Sequence, residues 1–425
     1  MTFLCLDVGS TWTKGVLVSA GGEPVGTAQH RTTPPEVLDG VAAVRAALPP
    51  ADEELACSSA GGGLRLAVVG QERLVSAEAG YRVALSAGAK VVHVTTGELS
   101  PAGVRELRAA APDVLLLVGG TDGGDEKVLL HNASRLARNR IAVPVVLAGN
   151  AAAQPAALAS LIGTGRRVVP AANVLPDVGE LAPGPARAAI REVFLRHVIG
   201  GKGLSRGPRF RRLVRTVTPD AVLTGVSRLA GVLAAREDQP GAVLVVDVGG
   251  ATTDVYSAVS TVESSVHAVA LPPDRRTVEG DLGMRVSAPG VVAEAVTERL
   301  VEPGALAEQA ARRHADVDLV PSTVDDHRVD LRIALLAAVL AVRRHLRLVD
   351  GQLGPHGAGH LVLSGGVFRH APDLTDFEAG LREHLGPVLR NATISVDTSG
   401  LLGPAGLLNQ AGHGPVADRL LASLH

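Results

Sequence analysis

The sequence predicts an α/β protein of two similar halves facing each other across a cleft, with a further α/β region in the chain. Three observations predict it. The first is Leu244-Val-Val-Asp247-Val-Gly249-Gly250-Ala251-Thr252-Thr253-Asp254-Val, a branched apolar run that leads into Asp-Val-Gly. The second is Phe3-Leu-Cys-Leu-Asp7-Val8-Gly9-Ser10-Thr11-Trp12-Thr13-Lys14-Gly15, the same succession near the start of the chain. The third is Leu361-Val-Leu-Ser364-Gly365-Gly366, another strand-like run ending in paired glycines. Such apolar runs read as buried strands. Glycines at the turns let main-chain N–H groups approach an anion closely. One such turn alone equally suits a plain β-hairpin. Its repetition half a chain apart points to two turns facing each other.

Taken in order, residues 3–7, 15–20 and 25–31 read as three strands, stopped by Pro34-Pro35. Apolar residues at helical spacing follow over 36–48, closed by Pro49-Pro50. A short strand, 55–59, runs into Gly61-Gly62-Gly63. From about residue 77 the pattern alternates. Strands are expected at 90–94, 113–118, 143–148 and 167–169, and helices at 100–110, 125–139 and 152–163, which suggests βαβ units in a parallel sheet. Within it, Gly119-Gly120-Thr121-Asp122-Gly123-Gly124 reads as a glycine-rich βα turn, since Asp122, Asp125 and Glu126 would repel phosphate. A partner or cofactor surface is the other use of that turn. Residues 185–236 read as helical, interrupted by Gly200-Gly201-Lys202-Gly203 and by the basic run Arg206 to Arg215, a solvated helix end. After the Asp247 hairpin, residues 263–270 read as a strand, and 277–285 as a loop placed either at the cleft or in solvent. Residues 325–345 hold a helix apolar nearly all round, hence buried. Residues 394–396 read as a last strand, and a closing helix begins at Gly403. The expected regions are therefore 1–76, part of the first half; 77–220, an α/β region that either completes that half or serves another role; and 221–425, the second half.

Hydrophobic residues make up 46% of the 425 and charged residues 20%, the balance of a folded chain. A net charge of -2 leaves no electrostatic footprint for nucleic acid or an anionic membrane. Cys5 and Cys57 lie in apolar runs and read as core residues, not as metal ligands or a disulfide. No secretory leader pattern opens the sequence, and its longest uncharged apolar run, Ile333 to Val342, is too short to span a bilayer. A cytoplasmic protein is expected.

The chemistry such turns suit is phosphoryl transfer, which needs positioning and charge neutralisation more than covalent catalysis. Asp7 and Asp247 at facing strand ends would hold Mg²⁺ through its waters. N–H groups at Gly9, Ser10 and Thr11 and at Gly249, Gly250 and Ala251 would cradle phosphates. Thr252, Thr253 or Asp247 would orient water, and Lys14 would reach a phosphate oxygen or face solvent. Adenine would rest near Gly365, Gly366 and Gly403. No nucleophile elbow, zinc-protease motif or Cys/His cluster competes with this reading.

The three stretches, in this order, resemble the two phosphate loops and the adenosine loop of the actin, sugar kinase and Hsp70 ATPase superfamily. The resemblance implies duplicated ribonuclease H-like halves around an ATP cleft. More specific motifs are Asp7 to Gly15, Ser58-Ser-Ala-Gly-Gly-Gly-Leu-Arg, Leu117-Val-Gly-Gly-Thr-Asp-Gly-Gly, Asn173-Val-Leu-Pro-Asp-Val-Gly and Val245 to Val255. Together they resemble the MutL (GlmL) family associated with glutamate mutase, which is distinct from the mismatch-repair protein of that name. This implies an Mg-dependent ATPase that serves an adenosylcobalamin-dependent mutase, reactivating it by promoting release of damaged cobalamin. Cobalamin would enter only through that partner, because the chain lacks an Asp-x-His-x-x-Gly motif. A homodimer is an open expectation. The competing readings are a small-molecule kinase, with Asp254 or Asp281 as base, and an ATP-gated electron-transfer activator, for which Cys5 and Cys57 are badly placed.

Overall fold

The computed structural model describes residues 1–424 apart from 61–63, 73–75, 88, 164, 166, 195–203, 206–207, 237–240, 260–273, 303, 350–352 and 354–356. β1 (Thr2–Val8), β2 (Trp12–Ser19), β3 (Pro24–Arg31) and β4 (Glu53–Ser58) open the chain. β5 (Arg65–Gly70), β6 (Lys90–Thr96), β7 (Val114–Leu117), β8 (Val145–Leu147) and β9 (Val168–Pro170) alternate with helices. β10 (Val214–Val217) runs directly into the helix Thr218–Ala234. β11 (Ala242–Val248), β12 (Thr253–Ala258), β13 (Asp274–Glu279), β14 (Ala358–Ser364) and β15 (Thr393–Val396) follow.

These strands form three five-stranded sheets. The first has the order β3-β2-β1-β4-β10 and the second β13-β12-β11-β14-β15. In each, three antiparallel strands are followed by two that run parallel to the first. The duplication holds residue by residue. Asp7 pairs with Lys14 across the hairpin and with Cys57 on the parallel side, while Asp247 pairs with Asp254 and with Ser364. The chain is therefore an α/β protein with duplicated ribonuclease H-like halves.

Each half ends in a strand that feeds a helix, Thr218–Ala234 after β10 and Leu402–Gln410 after β15. The two helices pack between the sheets, in a core shared by Cys5, Leu55 and Cys57 of the first and Val243, Val245, Tyr256 and Val362 of the second. Their backbones come so close that a methyl group at Gly225 would overlap the carbonyl of Leu402, and one at Gly406 that of Ala221. The second sheet's other face is covered by the predicted buried helix, Val324–Leu348, with Ala288–Thr297 and Thr375–Leu385.

The third sheet, β6-β5-β7-β8-β9, is wholly parallel and is inserted between β4 and β10. Near-continuous apolar strands such as Val114-Leu-Leu-Leu117 suit a sheet covered on both faces. Helices Ser76–Ser86 and Pro183–Val193 cover one face and join it to the first sheet's core. Pro101–Ala109, Lys127–Arg138 and Gln154–Ile162 cover the other. Pro183–Val193 also ties the insertion to the rest of the chain. Arg187 lies 3.4 Å from Asp274 of β13 and 3.9 Å from the buried Asp220, which Arg191 also pairs.

Several elements differ from expectation. β5 lies before residue 77, and β10, which completes the first sheet, lies inside the stretch read as helical over 185–236. The basic run holds the expected solvated helix end, with Arg211 and Arg212 exposed in the last turn of a short helix, and then continues as a strand. Its described part forms the short helix Pro208–Leu213 and then β10, where Arg215 pairs with Glu53 at 3.2 Å. The third strand of the second hairpin is β13, which takes part of the stretch read as a loop over 277–285. The strand expected at 263–270 and the glycines 61–63 and 200–203 fall outside the described residues. Among the described residues no helix is long and apolar enough to cross a membrane.

One buried group makes stability depend on pH. His345 is fully buried between Thr277 Oγ1 at 3.0 Å and Ser257 Oγ at 2.9 Å. Burial, with the charge of Arg275 adding to it, pushes its pKa down from 6.5 to about 3. A base depressed in the fold favours the native state above its unfolded pKa, and that contribution is lost as pH falls from 6.5 towards 3. The loss is expected to reach on the order of 4 kcal/mol. Urea titrations between pH 7 and pH 4 should show it, and His345→Gln should flatten that slope.

Candidate functional site

The first turn is built to keep its N–H groups outward. Gly9 N–H donates to the Trp12 carbonyl at 3.0 Å, and a Cβ on Gly9 would lie 2.8 Å from that oxygen. Thr32 then fixes the turn from behind, its hydroxyl donating to Gly9 O at 2.8 Å and its N–H to Thr11 O at 2.9 Å. Thr13, wholly buried, meets the Thr32 hydroxyl at 3.1 Å. The N–H groups of Ser10 and Thr11 take no partner among the described residues, and both residues are exposed.

The second turn repeats this with a different backing. Gly249 N–H donates to Thr252 O at 2.9 Å. Residues 280–287 wrap the turn: Met284 N–H donates to Gly249 O (3.0 Å), Arg285 and Val286 N–H to Gly250 O (2.8 and 2.9 Å), and Ser287 Oγ to Ala251 O (3.1 Å). Gly283 lies against Ala251 so tightly that a methyl group there would overlap its main chain. With three carbonyls occupied from behind, the N–H groups of Gly250 and Ala251 are left without partners among the described residues. Arg285 anchors the wrap, donating to Asp330 at 2.7 Å, and the fully buried Arg313 holds the same carboxylate at 2.5 Å.

This geometry corrects two sequence assignments. Gly9 and Gly249 spend their N–H groups closing the turns, so the open donors begin at Ser10 and Gly250. Thr253 is wholly buried with its hydroxyl donating to Leu282 O, the counterpart of Thr13, and is no candidate to orient water. Thr252 keeps partial exposure.

The two aspartates stand at corresponding strand ends, and the charge of Asp247 is one of the influences on Asp7. Burial raises the pKa of Asp7, while Lys14 and the Thr218 hydroxyl, 2.5 Å away, favour its ionised form. Thr218 opens the helix that follows β10, so the first carboxylate is fixed by the fifth strand of its own sheet. Lys14 is exposed and lies across from Asp7.

Asp254 takes the place of Lys14 in the second half. It faces Asp247 across the hairpin and accepts from Arg276 at 2.5 Å. Burial, assisted by Asp247 and Glu279 and opposed by Arg276, raises its pKa to about 6. From the sequence alone it stands only as a candidate kinase base. Its signal was the seven-residue spacing from Asp247, equal to that from Asp7 to Lys14.

The third stretch lies beside these turns. Gly365, at φ +124°, abuts the Val248 carbonyl, where any Cβ would overlap it, and Gly366 opens the short helix Gly366–Arg369. The loop after β15 adjoins it: Arg369 Nη2 is 3.5 Å from the position of a Cβ on Gly400. Gly403 lies in the first turn of Leu402–Gln410, a helix whose start is held by the buried Asp397 through Leu401 N–H at 2.8 Å and Leu402 N–H at 3.3 Å. The carboxyl ends of β11, β14 and β15 thus bring Asp247, Gly365, Gly366 and Gly403 to one edge of the second sheet.

The Mg²⁺ and nucleotide expected from the sequence suit this donor set. Open N–H groups fit phosphate oxygens, and Asp7 and Asp247 are hard oxygen donors for Mg²⁺ or its water shell. Among the described residues no group of three or more His, Cys, Asp or Glu converges as a self-sufficient metal cage.

Comparison with known proteins gives a family relationship over nearly the whole chain. The family described as MutL protein matches residues 3–424. Protein MutL of Clostridium tetanomorphum is 32% identical over 96% of this chain and 95% of its own length. Solved structures are far more distant. A nucleotide-free acetone carboxylase matches 95% of this chain and 69% of its own at 13% identity and a TM-score of 0.40. A xylulose kinase from Rhodospirillum rubrum matches 99% and 92% at 15% identity and 0.37. A glucokinase from Streptomyces griseus, in complex with glucose and AMPPNP, matches 96% and 99% at 11% identity and 0.34.

Proposed function

The chain belongs to the MutL protein family, and on that footing we propose that it is a Mg-dependent ATPase that assists an adenosylcobalamin-dependent mutase of the glutamate mutase type. The single observation carrying the ATPase part is the pair of matched turns, each with occupied carbonyls, open N–H groups and an aspartate at the strand end. The open N–H groups of Ser10, Thr11, Gly250 and Ala251 would hold the β- and γ-phosphates of a bound nucleotide. Mg²⁺, when bound, neutralises phosphate charge and is held through water by Asp7 and Asp247. Asp247 and Thr252 orient the attacking water, and Lys14 faces the phosphates from the first half. The mutase part rests on the family resemblance, with the insertion as the element left over for gripping a partner.

The candidate kinase bases are both engaged. Asp254, half-buried, is paired with Arg276, and Arg344 holds Asp281 at 3.0 Å together with Glu279 and Glu294. This weighs against a substrate hydroxyl as acceptor.

The test is hydrolysis of Mg-ATP by the pure protein, with and without a cobalamin mutase. Asp247→Asn and Asp7→Asn are each expected to lower turnover about 100-fold or more with melting temperature nearly unchanged. Parent-level turnover in both variants removes the ATPase assignment. Hydrolysis indifferent to the inactivated mutase removes the partner.

A further inference from the structure

We propose that the inserted parallel sheet carries a second binding site, between the carboxyl ends of β5 and β7, that takes a neutral carboxamide group. This goes beyond the ATPase reading and uses none of its residues.

The chain's connections part there. In the order β6-β5-β7-β8-β9 the chain moves one way from β5 to β6, then crosses back to β7. The helix after β5, Ser76–Ser86, packs on one face of the sheet, and the helix after β7, Lys127–Arg138, packs on the other. Connections that part in this way leave an opening above the strand ends, where parallel sheets bind their ligands.

The opening is finished with precision out of two sequence motifs that the nucleotide cleft leaves unused. Asn173 Nδ2 donates to Gly120 O and to Asp122 Oδ1, both at 2.9 Å, and Asp122 N–H donates to Pro176 O at 3.0 Å. The fully buried Asn150 accepts from Gly123 N–H at 3.1 Å and donates to Gly124 O at 3.1 Å. Asp122 also accepts from Ala151 N–H at 2.8 Å, so it supports the loop and is not a free surface charge. Gly120, at φ +69°, packs on Asp125 O, where a Cβ would overlap.

Within this frame, polar atoms of both kinds are left over. Gln71 follows β5, and its Nε2 donates to Asp125 at 3.1 Å. Its Oε1 is buried without a partner among the described residues and lies 3.4 Å from the position of a Cβ on Gly119. The carbonyls of Gly119, Gly120 and Thr121 are taken by Asn150 N–H, Asn173 and Gly124 N–H, while the N–H groups of these same three residues have no partner among the described residues. Folded proteins rarely leave such groups unmet.

Chemistry narrows the ligand. An anion would use the N–H groups but meets Asp122, Asp125 and Glu126. A simple cation has no use for N–H donors. A carboxamide offers an oxygen to the N–H groups and an N–H to Gln71 Oε1, so it satisfies both sets without bringing charge.

The full-length, ¹⁵N-labelled protein is titrated with propionamide, with propionate of the same shape, and with N-acetylalanine N-methylamide. Saturable shifts of the Gly119, Gly120 and Thr121 amide signals are expected with propionamide and not with propionate. Response to the blocked alanine identifies the main chain of a protein partner as the natural source, and response to propionamide alone a small primary amide. Gln71→Leu, with its melting temperature measured alongside, should weaken the response about tenfold. Absence of saturable shifts, equal shifts with propionate, or a full response in folded Gln71→Leu overturns the proposal. Should that variant not fold, the parent titrations decide alone.

Discussion

Alanine at Gly406 is expected to destabilise the protein by at least about 3 kcal/mol. Helix propensity alone predicts the opposite sign, since Gly→Ala inside a helix normally gains roughly 0.8 kcal/mol. Contact decides. The added methyl group meets the Ala221 carbonyl, which is backbone of the crossing helix and cannot rotate away as a side chain can. Gly225→Ala pushes on Leu402 from the other side and should behave alike. The control is in the same helix as Gly225. A Cβ at Gly231 meets nothing within 4 Å, so Gly231→Ala should stabilise by up to about 1 kcal/mol. Urea midpoints of the three variants test this, and a stabilised Gly406→Ala would show that the helices do not cross as described.

Gly283→Ala is expected to weaken nucleotide binding about 100-fold while leaving most of the fold intact, because an ångström of misplacement in a phosphate-binding turn is enough for such a loss. The methyl group overlaps Ala251 and must push the 249–252 turn forward or break the bonds from Met284, Arg285 and Val286 that hold its carbonyls back. Either movement withdraws N–H groups from the phosphates. Calorimetric titration with a non-hydrolysable ATP analogue measures this, and a parent-like affinity would show that the backing loop has no part in the site.

Much of the duplicated core was legible because its signals are local. Asp-Val-Gly after an apolar run fixes strand, turn and return strand within a dozen residues, so the two hairpins that carry Asp7 and Asp247 are legible from the chain alone. What escaped depends on distant partners. Val214-Arg-Thr-Val217 is too short and too basic to announce a strand, and it becomes one by docking on β4, with Glu53 neutralising Arg215. Thr253 looked like a free hydroxyl because nothing near it in sequence shows that Leu282 lies behind it. Asp254 was undervalued for a related reason. Its pairing with Asp247 is local, but its ion pair with Arg276 belongs to a third strand that the sequence suggests only at 263–270.

The place of the insertion has a consequence for how the protein is made. The first sheet lacks its outermost parallel strand until Val214–Val217 has left the ribosome, long after β1–β4 have emerged. Until then β4 presents an unpaired hydrogen-bonding edge, a template for wrong partners on any nascent chain. The insertion is compact and builds its sheet from near neighbours in the chain, so it can gather while that edge waits, and its helices Ser76–Ser86 and Pro183–Val193 close over the same core as β1 and β4. The segment that separates β4 from β10 in the chain thus covers the sheet's apolar face while the seam waits, and an insertion slowed in its own folding would be felt first as aggregation during translation.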